Sequence, residues 1–210
     1  GIRPNPNFGI IQQFESSGVT QEHSFDLKIN GYYKGVNMFG NYQLEKNTDD
    51  FSSPLGLPMD NYNLGLERGI SNLNQTHKVN IGFNFDLFKK INVSPSFRLE
   101  SGFPYTITTG KDDNGDTVFN DRPLGINRNS EHGEFLKQVD VRLRWKLPMQ
   151  YLGFKGTDQR RSISLSANIR NLLNTANLIN YVGIQTSPYF RRPTTANSPR
   201  SIQFGLTFSF

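Results

Sequence analysis

Along residues 200–210 every second position is large and apolar. Ile202, Phe204, Leu206, Phe208 and Phe210 alternate with Ser201, Gln203, Gly205, Thr207 and Ser209. Strict alternation places all the apolar groups on one face of a β-strand and the small polar groups on the other. The strand runs to the carboxyl terminus and ends on an aromatic residue, where a soluble domain ordinarily frays into polar residues. The same pattern recurs upstream. Phe25, Leu27, Ile29 and Tyr33 alternate with Asp26, Lys28 and Asn30. Lys34-Gly35 marks a tight reversal, and Val36, Met38, Gly40, Tyr42 and Leu44 share a face on the return, the signature of a hairpin. Val79, Ile81, Phe83, Phe85 and Leu87 lead into a sharp turn at Lys89-Lys90. Ile91, Val93, Phe97, Leu99, Phe103, Tyr105 and Ile107 carry the next strand. Val139, Val141, Leu143, Trp145 and Leu147, then Ile163, Leu165, Ala167 and Ile169, supply two more.

This patterning predicts one all-β segment over residues 1–210, an antiparallel up-and-down meander of about eight strands. The expected strands cover 8–16, 22–33, 36–46, 76–88, 91–109, 135–147, 162–174 and 200–210. The first of these alternates imperfectly. Long loops rich in Pro, Gly, Asn, Asp and Ser are expected over 47–75, 110–134 and 175–199, while the connections at 34–35 and 89–90 are tight and that over 149–161 is of intermediate length. In a meander, alternate connections lie at opposite ends. The long loops therefore gather at one end and the tight turns at the other, the asymmetry of outer-membrane barrels.

Alternation does not say which face points inward. A soluble barrel puts the apolar face inside, and a membrane barrel puts it against lipid. Three features favour the membrane arrangement. The strands have the roughly 9–11 residues that cross a bilayer at a tilt. Aromatic residues sit near strand ends, with Tyr32, Tyr33, Phe88, Trp145, Tyr151, Phe208 and Phe210 at the turn end and Phe103 and Tyr105 at the other, as two interfacial girdles would require. The polar face is rich in Asn, Ser and mixed charge, which suits a watery lumen.

Composition narrows the picture. Only 35% of residues are hydrophobic, and no run approaches the roughly 20 apolar residues of a membrane helix. Strand alternation averages out as polar, so a β-barrel stays open. With no cysteine there is no disulfide scaffold and no thiolate metal site. The net charge of +5 comes from scattered basic residues, so no nucleic-acid partner is expected. The chain opens Gly1-Ile2-Arg3-Pro4 without an initiator Met or a visible signal peptide, as expected if a leader has been removed or if this is the tail of a longer chain.

Several motifs carry a resemblance. Ser101-Gly-Phe-Pro-Tyr-Thr-Ile-Thr-Thr-Gly110, then Asp112-Asp-Asn-Gly-Asp116 and Asn120-Asp-Arg-Pro123, resemble the carboxyl-terminal barrel portion of TonB-dependent receptor-like outer-membrane proteins of the Oar-like type. Arg170-Asn-Leu-Leu-Asn174 with Asn177, the opening Arg3-Pro-Asn-Pro-Asn-Phe8 and the ending Phe204-Gly-Leu-Thr-Phe-Ser-Phe210 are similar too, so the resemblance covers essentially the whole chain. It implies localisation in the outer membrane, within a barrel of about 22 strands whose lumen holds an amino-terminal plug. This chain would be its carboxyl-terminal part, without the plug or a motif for the energy-coupling protein. The implied partners are outer-membrane lipid, the plug and remaining strands, and the barrel-assembly machinery through the strand ending in Phe210. Eight strands can also close alone into a narrow barrel.

Candidate chemistry is sparse. Asp112, Asn114 and Asp116, with Asp121 nearby, have the alternating oxygens of a calcium loop, but Gly stands at the fourth position and no closing Glu follows. The same residues build Asx-turns. His23, His77 and His132 all fall at the loop end, where the first two sit about 10 Å apart on strands spaced about 4.8 Å. A polar rim suits them better than a shared metal. Ser130, Glu131, His132 and Glu134 share a Gly-containing loop without the rigid frame that orients a nucleophile and base, so no catalytic residue and no enzyme are expected. Arg98, Glu100, Asp140, Arg142, Arg144, Lys146 and Arg170 fall on the polar face, where mixed signs are expected to pair across strands. Arg191-Arg192 face either lipopolysaccharide or water. The expected function is a barrel-wall segment with extracellular loops for solute uptake or surface binding. The alternatives are a stand-alone structural or adhesive barrel and a soluble carrier of an apolar ligand.

Overall fold

The chain turns first where its backbone is asked to go left-handed. Lys34 and Gly35 take φ of +46° and +86°, the geometry of a two-residue hairpin turn whose twist matches that of the strands. Phe88 and Lys89, at +51° and +56°, reverse the next hairpin, closed by Lys90 N–H donating to Leu87 O at 3.1 Å. The computed structural model describes residues 7, 15–51, 53, 56–147 and 162–209. The strand expected over 8–16 lies almost wholly outside them, as do Tyr151, the 149–161 connection and Phe210.

The strands in chain order are β1 (Thr20–Tyr33), β2 (Val36–Asp49), β3 (Gly69–Ile70), β4 (His77–Leu87), β5 (Ile91–Glu100), β6 (Pro104–Tyr105) and β7 (Glu131–His132), followed by β8 (Leu136–Leu147), β9 (Ser162–Arg170), β10 (Leu178–Tyr181), β11 (Pro193–Ala196) and β12 (Ser201–Ser209). A single 3-10 turn, Leu64–Glu67, is the sole helical element among the described residues. The main sheet runs β1-β2-β4-β5-β8-β9-β12, each pair antiparallel, and β3 adds to the end of β2. The up-and-down meander is as the alternation predicts. Among the described residues β1 and β12 do not pair with each other, so the described sheet has two open edges.

Register aligns the faces across the whole wall. Residues directly opposite in an antiparallel pair project to the same side. Ile29, Gly40, Ile81, Phe97 and Val139 form one apolar row across five strands. Val36, Phe85, Val93, Leu143, Ala167 and Phe204 form another, and Leu87, Ile91, Trp145, Leu165 and Leu206 a third. The other face carries Lys28, Asn41, Asn80, Arg98 and Gln138, and below them Asn37, Asn84, Ser94, Arg142, Asn168 and Gln203. The burial is inside out for a soluble protein. Ile29 is 63% exposed, Phe204 79% and Phe208 59%, whereas Asn80, Ser94, Ser96 and Asn168 are half-buried. Ile107 and Leu136 are the only fully buried large hydrophobic residues among those described. Among the described residues nothing covers the apolar face, which calls for lipid as its solvent.

Four expectations need correction. The strand expected over 91–109 ends at Glu100, although the apolar alternation continues. The Ser101 hydroxyl accepts the His77 backbone N–H at 3.0 Å, and Pro104 has no N–H to offer a ladder, so the chain leaves the wall. The strand expected over 162–174 ends at Arg170. There Asn171 enters the left-handed region at φ +50° and closes a loop through Thr175 N–H at 2.9 Å. The long loops are not structureless, since they contain β3, β6, β7, β10 and β11. Finally, Phe103 and Tyr105 belong to those loops and do not form a second lipid girdle, whereas Tyr32, Tyr33, Phe88 and Phe208 stand exposed at the turn end.

Candidate functional site: the loop cap and the polar wall

At one end of the wall the three long loops fold onto one another, and this is where the buried polar residues collect. The first join is ionic. Arg128, only 2% exposed, donates through Nε to Glu67 O at 2.9 Å and through Nη2 to Asp49 O at 2.9 Å, and its guanidinium pairs with the Asp49 carboxylate. Burial pushes this guanidinium below its usual pKa. Arg122 donates to Glu67 Oε1 at 3.0 Å and to Leu66 O at 2.9 Å. A buried ion pair needs hydrogen bonds to offset its desolvation, and here the loop backbones engage Nε and Nη2 of Arg128, while Nη1 has no partner among the described residues. Asn129 adds a neutral clasp, donating from Nδ2 to Ile70 O at 2.6 Å and accepting from the Thr106 hydroxyl at 2.9 Å.

The second join links residues 101–135 to 171–200. Thr108 and Ile184 form a parallel bridge, with Thr108 N–H donating to Gly183 O at 3.0 Å and Gln185 N–H to Thr108 O at 2.9 Å. Gly183 lies so close to the Thr106 carbonyl that no side chain fits there. Tyr105 stacks on Tyr181 with ring centroids 5.5 Å apart, and Arg191 reaches Glu131 at 3.1 Å. Burial, then the Glu131 carboxylate, raises the Tyr105 hydroxyl above its usual value. Asn177 anchors the third loop to β8, accepting from Lys137 N–H at 2.7 Å and donating to Lys137 O at 2.9 Å.

The calcium-spaced oxygens are engaged with main-chain donors. Asp112 accepts from Asp116 and Thr117 N–H, both at 3.0 Å, and Asp116 accepts from Val118 N–H at 2.8 Å. Asp121 accepts from Asp113 N–H at 2.6 Å. Asn114 turns its amide to Met59 O at 2.7 Å and Asn120 donates to Leu57 O at 3.0 Å, so this loop docks on the first one. Among the described residues no group of three or more His, Asp and Glu is placed to hold a metal ion. The histidines are dispersed: His23 lies opposite Lys46, His77 shares a 2.9 Å hydrogen bond with Tyr42, and His132 pairs with Pro104 in the short β6–β7 ladder.

On the polar wall the expected charge pairing holds only in part. Lys78 meets Glu45 at 2.7 Å and Arg98 meets Glu100 at 3.7 Å. Asp140 accepts from Gln138 Nε2 at 2.9 Å and from Asn171 N–H at 2.8 Å. Among the described residues Arg142, Arg144, Lys146 and Arg170 have no carboxylate within 4.0 Å, and the cross-strand neighbours of the first three are Ser and Asn. The residues that sequence reasoning missed are Asp49, Glu67, Arg122, Arg128 and Asn129. The one available signal was the run of Arg and Asn in 120–129, too polar for a loop with nothing to bind.

Comparison with known proteins places this architecture. A structure search matches the outer membrane transporter YddB from Escherichia coli, with a TM-score of 0.64 and 17% identity. The match covers 92% of this chain and 26% of the transporter, so the chain spans about a quarter of that structure's length. At that identity the likeness speaks for the fold alone. No curated protein sequence matches the chain. The model of the outer membrane beta barrel domain family matches residues 1–140, two thirds of the chain and the part that holds β1 to β7 and most of the loop cap. The chain therefore belongs to the outer membrane beta barrel domain family and is a protein of the outer membrane.

Proposed function

We propose that this chain forms wall strands and extracellular loops of a TonB-dependent receptor-like uptake protein. One observation carries the reading: among the described residues the wall has an uncovered apolar face and two long unpaired edges, β1 and β12. A sheet in lipid must satisfy its edge N–H and C=O groups by closure, because hydrocarbon offers them no partner. Further strands at both edges meet that need. The likeness to a transporter of which this chain matches only 26% supports the larger barrel, and the motifs around Ser101–Gly110 and Asn120–Pro123 support the receptor-like type. In that barrel the polar face lines the lumen, where the plug sits, and the loop cap faces the exterior.

The chain has no cysteine, so cross-linking gives a clean test. A cysteine replacing Leu27 in β1 is combined with single cysteines scanned along β12 in the intact protein in outer membranes. Absence of a β1–β12 disulfide is expected, together with solute uptake that stops when the proton gradient is collapsed. A β1–β12 disulfide would instead establish a small closed barrel. Uptake that persists without the gradient would remove the TonB-dependent part of the reading.

A further inference from the structure

We infer that the polar face of β8, with its neighbours on β5 and β9, is a binding site for a small anionic solute bearing phosphate or carboxylate groups. The inference rests on the lumen-facing orientation of that wall given above. Arg142, Arg144 and Lys146 alternate along β8, so all three project from the polar face, and all three are exposed. Register sets Arg142 between Ser94 and Asn168, Arg144 between Asn92 and Ser166, and Lys146 beside Ser164. Each cation is flanked by a hydroxyl or an amide and none by an acid. Among the described residues none of the three has an ion-pair or hydrogen-bond partner. The nearest acid on the same strand face, Asp140, is held toward the loop end by Gln138 and Asn171.

A β-strand rises about 3.3 Å per residue, so these cations stand roughly 7 Å apart, within a Debye length of about 8 Å. They repel one another, and a bound anion relieves that repulsion. Arginine offers a planar fork of donors that matches carboxylate and phosphate oxygens, and Ser and Asn provide the neutral donors that complete such a site. Basic side chains on pore walls select anions by the same chemistry. A shallow concavity of about 310 Å³ opens at the Arg142 end of this row, lined by Arg142 and Arg170 with Asp140, Ser94, Asn168 and Gln203. That is the scale of a small-molecule site. Lipid headgroups are excluded as occupants because the apolar, lipid-facing side is the opposite face of the same strands.

The test is calorimetric titration of the intact protein in detergent with inorganic pyrophosphate and, separately, with tricarballylate. Heat-modifiable gel mobility serves as the check of folding. The doubly neutral variant R142Q/R144Q is expected to bind at least about tenfold more weakly, as loss of a charge-assisted pair implies. The charge-conserving R142K/R144K is expected to retain salt-sensitive binding, and K78Q, which removes a paired cation elsewhere on the wall, to bind as the wild type does. Pyrophosphate bound without tricarballylate assigns a phosphate, and the converse assigns a carboxylate. Equal binding by wild type and R142Q/R144Q, or equal loss in K78Q, overturns the inference. If R142Q/R144Q does not fold, the wild-type salt series decides, and an affinity unchanged from low to high salt overturns it. A folded wild type that binds neither probe also overturns it, and an acidic segment of the same protein seated on the wall would give that result. Such a result leaves the uptake reading intact, whereas absence of the folded protein from the outer membrane defeats that reading itself.

Discussion

Arg128 joins two loops that sequence separates widely. Its partners Asp49 and Glu67 are both buried, so removing the guanidinium leaves the Asp49 carboxylate without its counter-charge, while Glu67 keeps Arg122. Arg128→Ala is expected to destabilise the cap by about 3–5 kcal/mol, the usual consequence of stripping one partner from a buried ion pair. Limited proteolysis is the measurement: cleavage within 50–76 and 101–135 should accelerate while far-UV circular dichroism of the wall stays unchanged. Tyr105 gives a second, pH-dependent handle. Its folded pKa lies above the ordinary value of 10.0, from burial and from Glu131. The folded state therefore holds the proton more tightly. Its contribution is full below about pH 10, the unfolded value, and is lost as pH rises through the folded value. Alkaline titration of wild type should loosen the contact between residues 101–135 and 171–200 in that window, and Tyr105→Phe should abolish the transition. A loosening that persists unchanged in Tyr105→Phe would assign it to another group.

Strands are where sequence and structure agree best, because a strand's face is a local property. Alternation at positions such as Val79, Ile81 and Phe83 states which side each residue takes without knowledge of its neighbours. The opposite faces can be tested one residue apart. Leu165→Arg puts a cation against lipid and is expected to destabilise the protein by about 2–4 kcal/mol, whereas Ser164→Arg, on the polar face, should change stability little. Equilibrium unfolding in lipid vesicles compares the two, and equal effects would reverse the assignment of the faces. Ends of strands were less legible than their middles. Phe103, Tyr105 and Ile107 keep the alternation of β5 going, yet the chain leaves the wall at Ser101 because a hydroxyl there takes a ladder hydrogen bond. Alternation records the pleat and not the partner. The cap was legible only as the run of Arg and Asn over 120–129, since the match of Arg128 to Asp49 or of Asn129 to Ile70 depends on loops meeting in space. In the 112–121 loop the oxygens were visible in the sequence, but their partners, the main-chain N–H groups of residues 113–118, were not.

At the scale of the whole molecule, the dominant feature is a wall with two edges. β1 spans fourteen residues and β12 nine, every one of them exposed, and among the described residues no strand pairs with their outer edges. Exposed long edges recruit other strands. The isolated 210-residue chain in micelles is therefore expected to associate, and analytical ultracentrifugation should find oligomers that disappear when the strands on either side are supplied. A monodisperse isolated chain would mean that the edges satisfy each other. The cap, finally, has a consequence in time. Adjacent long strands joined by tight turns zip through near-neighbour contacts, which form early because the closing loops are short. Arg128 and Asp49 stand 79 positions apart, and their contact must wait until β2, β4 and β5 lie side by side. A slip of one residue in any of these strands would turn its faces over and carry Asp49 out of reach. The loop cap is thus the last piece to close, and its closure certifies that the strands beneath it have found their register.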